Sequence, residues 1–140
     1  MNPSLLYRVA AVLLVLFAAG HQYGFRQVDP AWGMDATVSA MKTIEFQIQG
    51  VTRNYWGFYS GFGFFVTVLL LFSAILAWQL GGLPADTLRS IPLLTWAFAA
   101  TFVVITLMTW RYFFPAPLVF SVLVTLCLIL AAWRANAAPH

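Results

Sequence analysis

Four long apolar runs are the feature of this sequence that most constrains its fold. An α-helix rises about 1.5 Å per residue, so about 20 apolar residues cross a hydrocarbon core of about 30 Å. The connections between the runs are too short to hold further domains. We therefore predict an all-α membrane protein, a four-transmembrane-helix bundle in a single domain over residues 1–140, with spans at about 5–25, 54–80, 91–113 and 118–133.

The composition excludes two broad classes of protein. Of the 140 residues, 62% are apolar and only 8% are charged, whereas about a quarter of the residues in soluble domains carry charge. A soluble fold is therefore excluded. The net charge of +3 comes from few ions and forms no clustered basic stripe, so a nucleic-acid partner is excluded as well.

Residues that stop helices flank the spans. The second span ends at Gly81 and Gly82, which are followed by Pro84, and the third span ends at Pro115 and Pro117. Ser90 is a candidate N-cap for the third span. The first run also fits a secretory signal, with Arg8 as its positive end and Ala18-x-Gly20 as a cleavage site, but counted through Phe25 it is long enough to span.

One long polar connection, residues 26–52, separates the first two spans. Asp29-Pro30 and Trp32-Gly33 are typical of turns. Beyond them, apolar residues recur at three- and four-residue steps from Met34 to Ile48, which predicts a short amphipathic helix at about 34–49, between helices 1 and 2. We expect this helix to lie on the membrane or to cap the bundle, with Gly50 as its stop.

Aromatic residues support the count of four spans. Tyr7, Trp78 and Trp133 mark one predicted interface, and Trp32, Trp56 and Trp110 mark the other. Lysine and arginine counts on the two faces are nearly equal, and the short flanks favour termini in the cytoplasm. The expected location is a cell membrane, the bacterial inner membrane, crossed several times.

Polar and aromatic residues cluster at the helix ends beside the long connection. Arginine binds phosphate and carboxylate because its donors form a permanently charged fork. The predicted ligand-binding residues are Arg53, Tyr55, Trp56, Tyr59, Trp110 and Arg111, and the candidates for moving a proton are His21 and Glu45. The alternative is structural: Arg53 and Glu45 form an ion pair, and the rings are only an interface belt.

Other motifs favour structural roles. Gly57-x-x-x-Gly61 is typical of helix packing, and Asp86 with Arg89 is typical of a pair that stabilises a connection. Cys127 lies within an apolar run, and the second histidine is the terminal His140. No metal-ligand spacing exists, so neither a metal nor a cofactor is predicted.

The run that opens the second span carries a family resemblance. Arg53-x-Tyr55-Trp56-x-Phe58-Tyr59-x-Gly61-Phe62-Gly63, with Gly20-His21 closing the first span, resembles small four-span bacterial membrane proteins of unassigned function, over most of the chain. The topology is also distantly similar to the four-span ergosterol-biosynthesis scaffold proteins, which carry an Arg-x-Phe-like entry to a span after a long first loop. That similarity implies a role beside lipid or isoprenoid enzymes.

These observations favour binding of a membrane lipid or other amphipathic small molecule at the aromatic face. One alternative is a structural or accessory subunit, either a homo-oligomer or part of a larger membrane complex. Another is a small lipid-modifying enzyme that uses His21 or Glu45, so whether the chain catalyses a reaction stays open. A transporter or channel is least favoured, because no acid lies in an apolar core.

Overall fold

The computed structural model describes residues 2–137, and four of the helices in this part of the chain are long and apolar enough to cross a membrane. They are α1 (Pro3–Gly24), α3 (Tyr55–Leu80), α5 (Pro92–Tyr112) and α6 (Pro115–Ala137). Shorter elements are α2 (Asp35–Thr43), β1 (Glu45–Ile48), β2 (Val51–Asn54) and α4 (Ala85–Ser90). The predicted class, a multi-pass helical membrane protein, is confirmed. The terminal His140 lies outside the described residues.

The chain packs as two compact units. The central unit is Ala18–Leu69, and the flanking unit comprises the residues before and after that segment. The flanking unit contains α4, α5, α6, the first part of α1 and the last part of α3. That the whole chain acts as one domain stays a prediction.

The core of the flanking unit follows the helical repeat. On α1, Tyr7, Ala10 and Leu14 are wholly buried, and their spacing of three and four residues places them on one face. The other helices contribute buried residues at similar steps: Leu70, Ala74, Ala77 and Leu80 on α3, Phe98 and Phe102 on α5, and Val124, Leu128 and Ala131 on α6. Tyr7, which was predicted to mark a membrane interface, has its side chain buried in this core, and its depth in the membrane stays a prediction.

Hydroxyl groups join α5 to α6 inside the flanking unit. The Thr125 hydroxyl donates to the Phe102 carbonyl oxygen at 2.9 Å, and Thr106 Oγ1 lies 2.8 Å from Thr125 Oγ1. Lipid offers no alternative partner to such groups, so hydrogen bonds between spans help to fix their register.

The connection between α3 and α5 contains the one ion pair found among residues 2–137, between Arg89 and Asp86. This confirms the pairing expected from the sequence. Ser90, however, is the last residue of α4 and not the N-cap of α5. Its hydroxyl donates to the Thr87 carbonyl oxygen at 2.8 Å, because residues 85–90 form a helical turn of their own.

The predicted amphipathic helix at about 34–49 is correct only in its first part. α2 ends at Thr43, and residues 45–54 form an antiparallel hairpin in which Ile48 pairs with Val51. Gln49 and Gly50 link the strands with φ values of 51° and 79°, and positive φ at both positions is what a two-residue type I′ turn requires. The apolar residues Ile44, Phe46 and Ile48 alternate along this segment, which is the period of a strand.

In the central unit, the end of α1 packs closely against the first turns of α3. The His21 ring nitrogen Nε2 lies 3.0 Å from the Gly63 carbonyl oxygen. That oxygen can only accept, so Nε2 donates and holds α1 to α3. One turn away, the Thr67 hydroxyl lies 3.0 Å from Gln22 Oε1.

The ring of Phe25 fills the space that Gly63 leaves. It stacks on His21 with centroids 5.1 Å apart and meets the Phe64 ring edge-on at 5.7 Å. The Tyr59 hydroxyl donates to the Phe25 carbonyl oxygen. A Cβ atom at Gly63 would overlap the Phe25 ring, whereas one at Gly61 would have no described atom within 4 Å beyond its chain neighbours and the adjacent backbone of its own helix. Within this unit, Gly63 and not Gly61 is the glycine that lets another part of the chain approach closely.

These contacts predict unequal effects of alanine at two neighbouring glycines. Gly63→Ala should displace the Phe25 ring, and overpacking of this kind costs about 1–3 kcal/mol. Gly61→Ala makes the same change of helix propensity two residues away without a clash. We expect the Gly63 variant to unfold at a lower temperature in detergent than the Gly61 variant, and equal temperatures would show that the ring does not depend on that glycine.

In the flanking unit, α1 also lies close to Gly81, and this contact leads to a similar prediction. A Cβ atom there would lie 3.0 Å from both the Ser4 carbonyl oxygen and Arg8 Cγ, whereas at exposed Gly82 the nearest atom would be at 3.4 Å. Gly81→Ala should therefore lower the free energy of unfolding by about 1–3 kcal/mol, measured by thermal unfolding in detergent. Gly82→Ala is the control, and a similar loss in both variants would contradict the tight α1–α3 contact.

Candidate functional site

Asn54 fixes the connection over the start of α3. Its side-chain oxygen accepts from the Gly57 amide nitrogen at 2.8 Å, which satisfies a free donor in the first turn of α3. Its side-chain nitrogen donates to the Lys42 carbonyl oxygen at 3.0 Å. One amide side chain thus joins the end of α2 to the beginning of α3.

A cation–π contact holds the same two elements together. Lys42 Nζ lies 4.5 Å from the centroid of the Trp56 ring, within the distance at which such contacts are favourable. Trp56 also packs against Tyr59, with centroids 5.5 Å apart. The Lys42 ammonium therefore has a defined position above α3.

An open cavity of about 550 Å³ lies between these elements. This volume falls within the range of small-molecule sites, roughly 300–1,000 Å³. Its walls combine charged, hydroxyl and aromatic groups: Arg26, Gln27, Val28, Asp35, Val38, Ser39, Lys42 and Trp56. We call it the surface pocket.

Both cations of the surface pocket are positioned by aromatic rings. The Arg26 guanidinium carbon lies 5.3 Å from the Phe25 ring centroid and 5.6 Å from that of Phe64. Neither Arg26 nor Lys42 takes part in an ion pair among residues 2–137. Asp35 lines the same cavity, but it neutralises neither of them by direct contact. Each exposed cation therefore contacts a ring and keeps its charge available to an anion.

Of the predicted ligand-binding residues in the central unit, only Trp56 lines the surface pocket. The Arg53 guanidinium donates to the Thr52 carbonyl oxygen at 2.8 Å and is otherwise exposed. Tyr55 packs against Phe46 with centroids 5.1 Å apart, and Tyr59 packs against Phe25 and Trp56. The hypothesis that Arg53 and these rings hold a ligand stays a prediction.

The alternative in which Arg53 pairs with Glu45 is not seen in the described residues. Phe46 lies opposite Arg53 in the hairpin, and Glu45 lies opposite Asn54. Neighbouring pairs point to opposite faces of a ribbon, so Arg53 and Glu45 face away from each other.

Trp110 and Arg111, the remaining predicted ligand-binding residues, belong to the flanking unit. Both side chains are exposed, and the Arg111 guanidinium carbon lies 5.4 Å from the Tyr112 ring centroid. That Trp110 and Arg111 share a site with Arg53 stays a prediction.

The candidates for proton transfer do not line the surface pocket. The contact of His21 Nε2 with the Gly63 carbonyl gives that residue a packing role. Glu45 lies on the exposed polar face of the hairpin. Neither position supports the enzymatic alternative.

Arg26 and Lys42, the cations of the surface pocket, are not among the residues predicted from the sequence to bind a ligand. A signal for Lys42 was present, since Asp35, Ser39 and Lys42 follow a helical spacing of four and three and therefore share one face of α2. Arg26 carries no comparable signal, because its position depends on how the connection returns over the end of α1.

A second cavity, of about 510 Å³, lies in the flanking unit. It is a groove between the first part of α1 and the last part of α3, and Ala11, Val15, Leu71 and Ile75 are among the residues that line it. Every lining side chain is apolar or aromatic. Such a groove can accept an acyl chain, but it has few groups that would orient a polar ligand.

Comparison with known protein families, curated proteins and solved structures finds no match to this chain. The four apolar helices agree with the predicted resemblance to small four-span membrane proteins at the level of architecture alone.

Proposed function

We propose that this multi-pass membrane protein binds an anionic amphipathic molecule, a membrane lipid, with its headgroup in the surface pocket. The observation that carries the proposal is the pair of cations, Arg26 and Lys42, that aromatic rings hold in one cavity without carboxylate partners. A guanidinium offers a planar fork of donors to a phosphate, and an ammonium adds a compact charge.

The other walls of the pocket favour a headgroup that also carries hydroxyl groups. The carboxylate of Asp35 accepts hydrogen bonds, and the hydroxyl of Ser39 both donates and accepts. Half-buried Trp56 offers an amphipathic ring to the region where headgroup meets acyl chain. Phosphatidylglycerol combines a phosphodiester with free hydroxyls and is therefore a suitable test ligand.

Charge removal in the pocket should weaken the binding of phosphatidylglycerol. Each cation near a membrane surface contributes about 1 kcal/mol to the attraction of anionic lipid. The double variant Arg26→Gln/Lys42→Gln should therefore lose about 2 kcal/mol, which is roughly a thirtyfold change in affinity. Native mass spectrometry of the purified protein measures this by comparing phosphatidylglycerol with phosphatidylcholine of the same acyl chains.

Arg134→Gln is the matched control for this experiment. The Arg134 guanidinium also lies over an aromatic ring, 5.5 Å from the centroid of Trp133, but it does not line the pocket. The control should keep the lipid preference of the native protein. If the double variant keeps that preference while its thermal unfolding is unchanged, the pocket does not bind the headgroup.

A second candidate function is that of an accessory subunit in a larger membrane complex or a homo-oligomer. The open space at Gly61 supports it, since no described atom outside the adjacent backbone of α3 and the chain neighbours lies within 4 Å of a Cβ atom built there. A small residue on a span permits close approach by another helix. Purification in a mild detergent at native expression should then yield a stoichiometric partner or a second copy. A homogeneous monomer would eliminate this candidate.

We also propose the finer location expected from the sequence, a bacterial inner membrane with both termini in the cytoplasm. Reporter fusions at each terminus test it. Reporters active only in the periplasm would contradict the cytoplasmic assignment.

A further inference from the structure

The hairpin formed by β1 and β2 has one apolar and one polar face. Partners in register share a face, and faces alternate along each strand. Ile48 and Val51 therefore share a face with Phe46 and Arg53. The opposite face contains Glu45, Gln47, Thr52 and Asn54, where the Gln47 side chain donates to the Thr52 hydroxyl at 3.1 Å.

The base of the apolar face packs on α3. Phe46 stacks on Phe58 with centroids 5.8 Å apart and rings inclined by 3°, and it also contacts Tyr55. Nearer the turn, Ile48 and Val51 are 48% and 42% exposed. The apolar face is therefore half covered by the protein, and its exposed half contains two large aliphatic side chains.

This face is continuous with the outer surface of a membrane-spanning helix. β2 ends at Asn54 and α3 begins at Tyr55, with no residue between them. On α3 the aromatic surface continues through Phe58 to Phe62, which is 66% exposed, and Phe65, which is 68% exposed. In a span of this kind such side chains face lipid. The surface beside Phe46 is therefore a membrane surface.

We propose that the hairpin inserts its apolar face into the headgroup region of the same membrane that the helices span, with Ile48 and Val51 reaching the acyl boundary and Arg53 contacting lipid phosphate. A two-stranded hairpin is only marginally stable in water. Phe46 already packs on α3, and burial of Ile48 and Val51 in lipid covers the rest of the apolar face. Arg53 lies on the inserted face, from which its long side chain can reach the phosphate layer. Its charge matches an anionic headgroup.

The proposal is tested by spin labels on opposite faces of one strand. The chain has a single cysteine, Cys127, so Cys127→Ala gives a background for Ile48→Cys and for its control Gln47→Cys. In lipid nanodiscs of phosphatidylglycerol and phosphatidylcholine, the label at position 48 should be accessible to oxygen and protected from a water-soluble nickel chelate. The label at position 47 should show the reverse, with the ratio of the two accessibilities differing at least several-fold.

A second pair, Val51→Cys and Thr52→Cys on the other strand, repeats the comparison and guards against a local effect of one label. Equal accessibility to the nickel chelate on both faces would overturn the proposal, because the hairpin would then lie in water. Protection of position 48 from both reagents would also overturn it, since a protein surface and not lipid would cover the face.

The role of Arg53 has its own measurement. Arg53→Gln should increase the exposure of position 48 to the nickel chelate in discs that contain phosphatidylglycerol, and should change it less in phosphatidylcholine alone. An equal change in both lipids would show that the arginine does not act through an anionic headgroup. The outcome is independent of the surface pocket, because Arg53 does not line it.

Discussion

The structure depends on the requirement that peptide groups in hydrocarbon find their hydrogen-bond partners inside the protein. An unpaired amide in lipid costs several kcal/mol, so the segments that cross the membrane are helices. The two-stranded sheet, whose outer edges are unpaired, is confined to the polar connection between α1 and α3. Within the flanking unit, the hydroxyl of Thr125 uses a backbone carbonyl of α5 for the same reason. The need for internal hydrogen-bond partners therefore limits which segments can contain polar functional groups.

Cations contact aromatic rings in this protein because the chain has few acidic residues to pair with them. The chain has seven lysine and arginine residues against four acidic ones, so carboxylates cannot neutralise all of the cations. Aromatic rings are abundant, and Arg26, Lys42 and Arg134 each lie over one. A ring positions a cation without cancelling its charge. This is the physical basis for proposing anion binding at the surface pocket.

The sequence predicts the spans well because length and apolar content alone determine them. It predicts the connection less well. Ile44 and Ile48 fit a helix by their spacing of four, while Ile44, Phe46 and Ile48 fit a strand by their spacing of two, and the Gln49-Gly50 turn decides between the two. Trp56 was identifiable because it sits at the start of a span. Arg26 and Lys42 are sixteen residues apart, and only the folded connection shows that they share a cavity.

The central claim is that lipid phosphate occupies the cavity between α2 and the start of α3. Photo-crosslinking tests it most directly, with a phosphatidylglycerol whose headgroup carries a diazirine, incorporated into nanodiscs with the native protein. Peptide mapping should place the adducts on pocket residues such as Val38, Ser39 and Trp56. Adducts confined to the outer surface of α3, around Phe62 and Phe65, would contradict the claim, because the lipid would then only surround the helices.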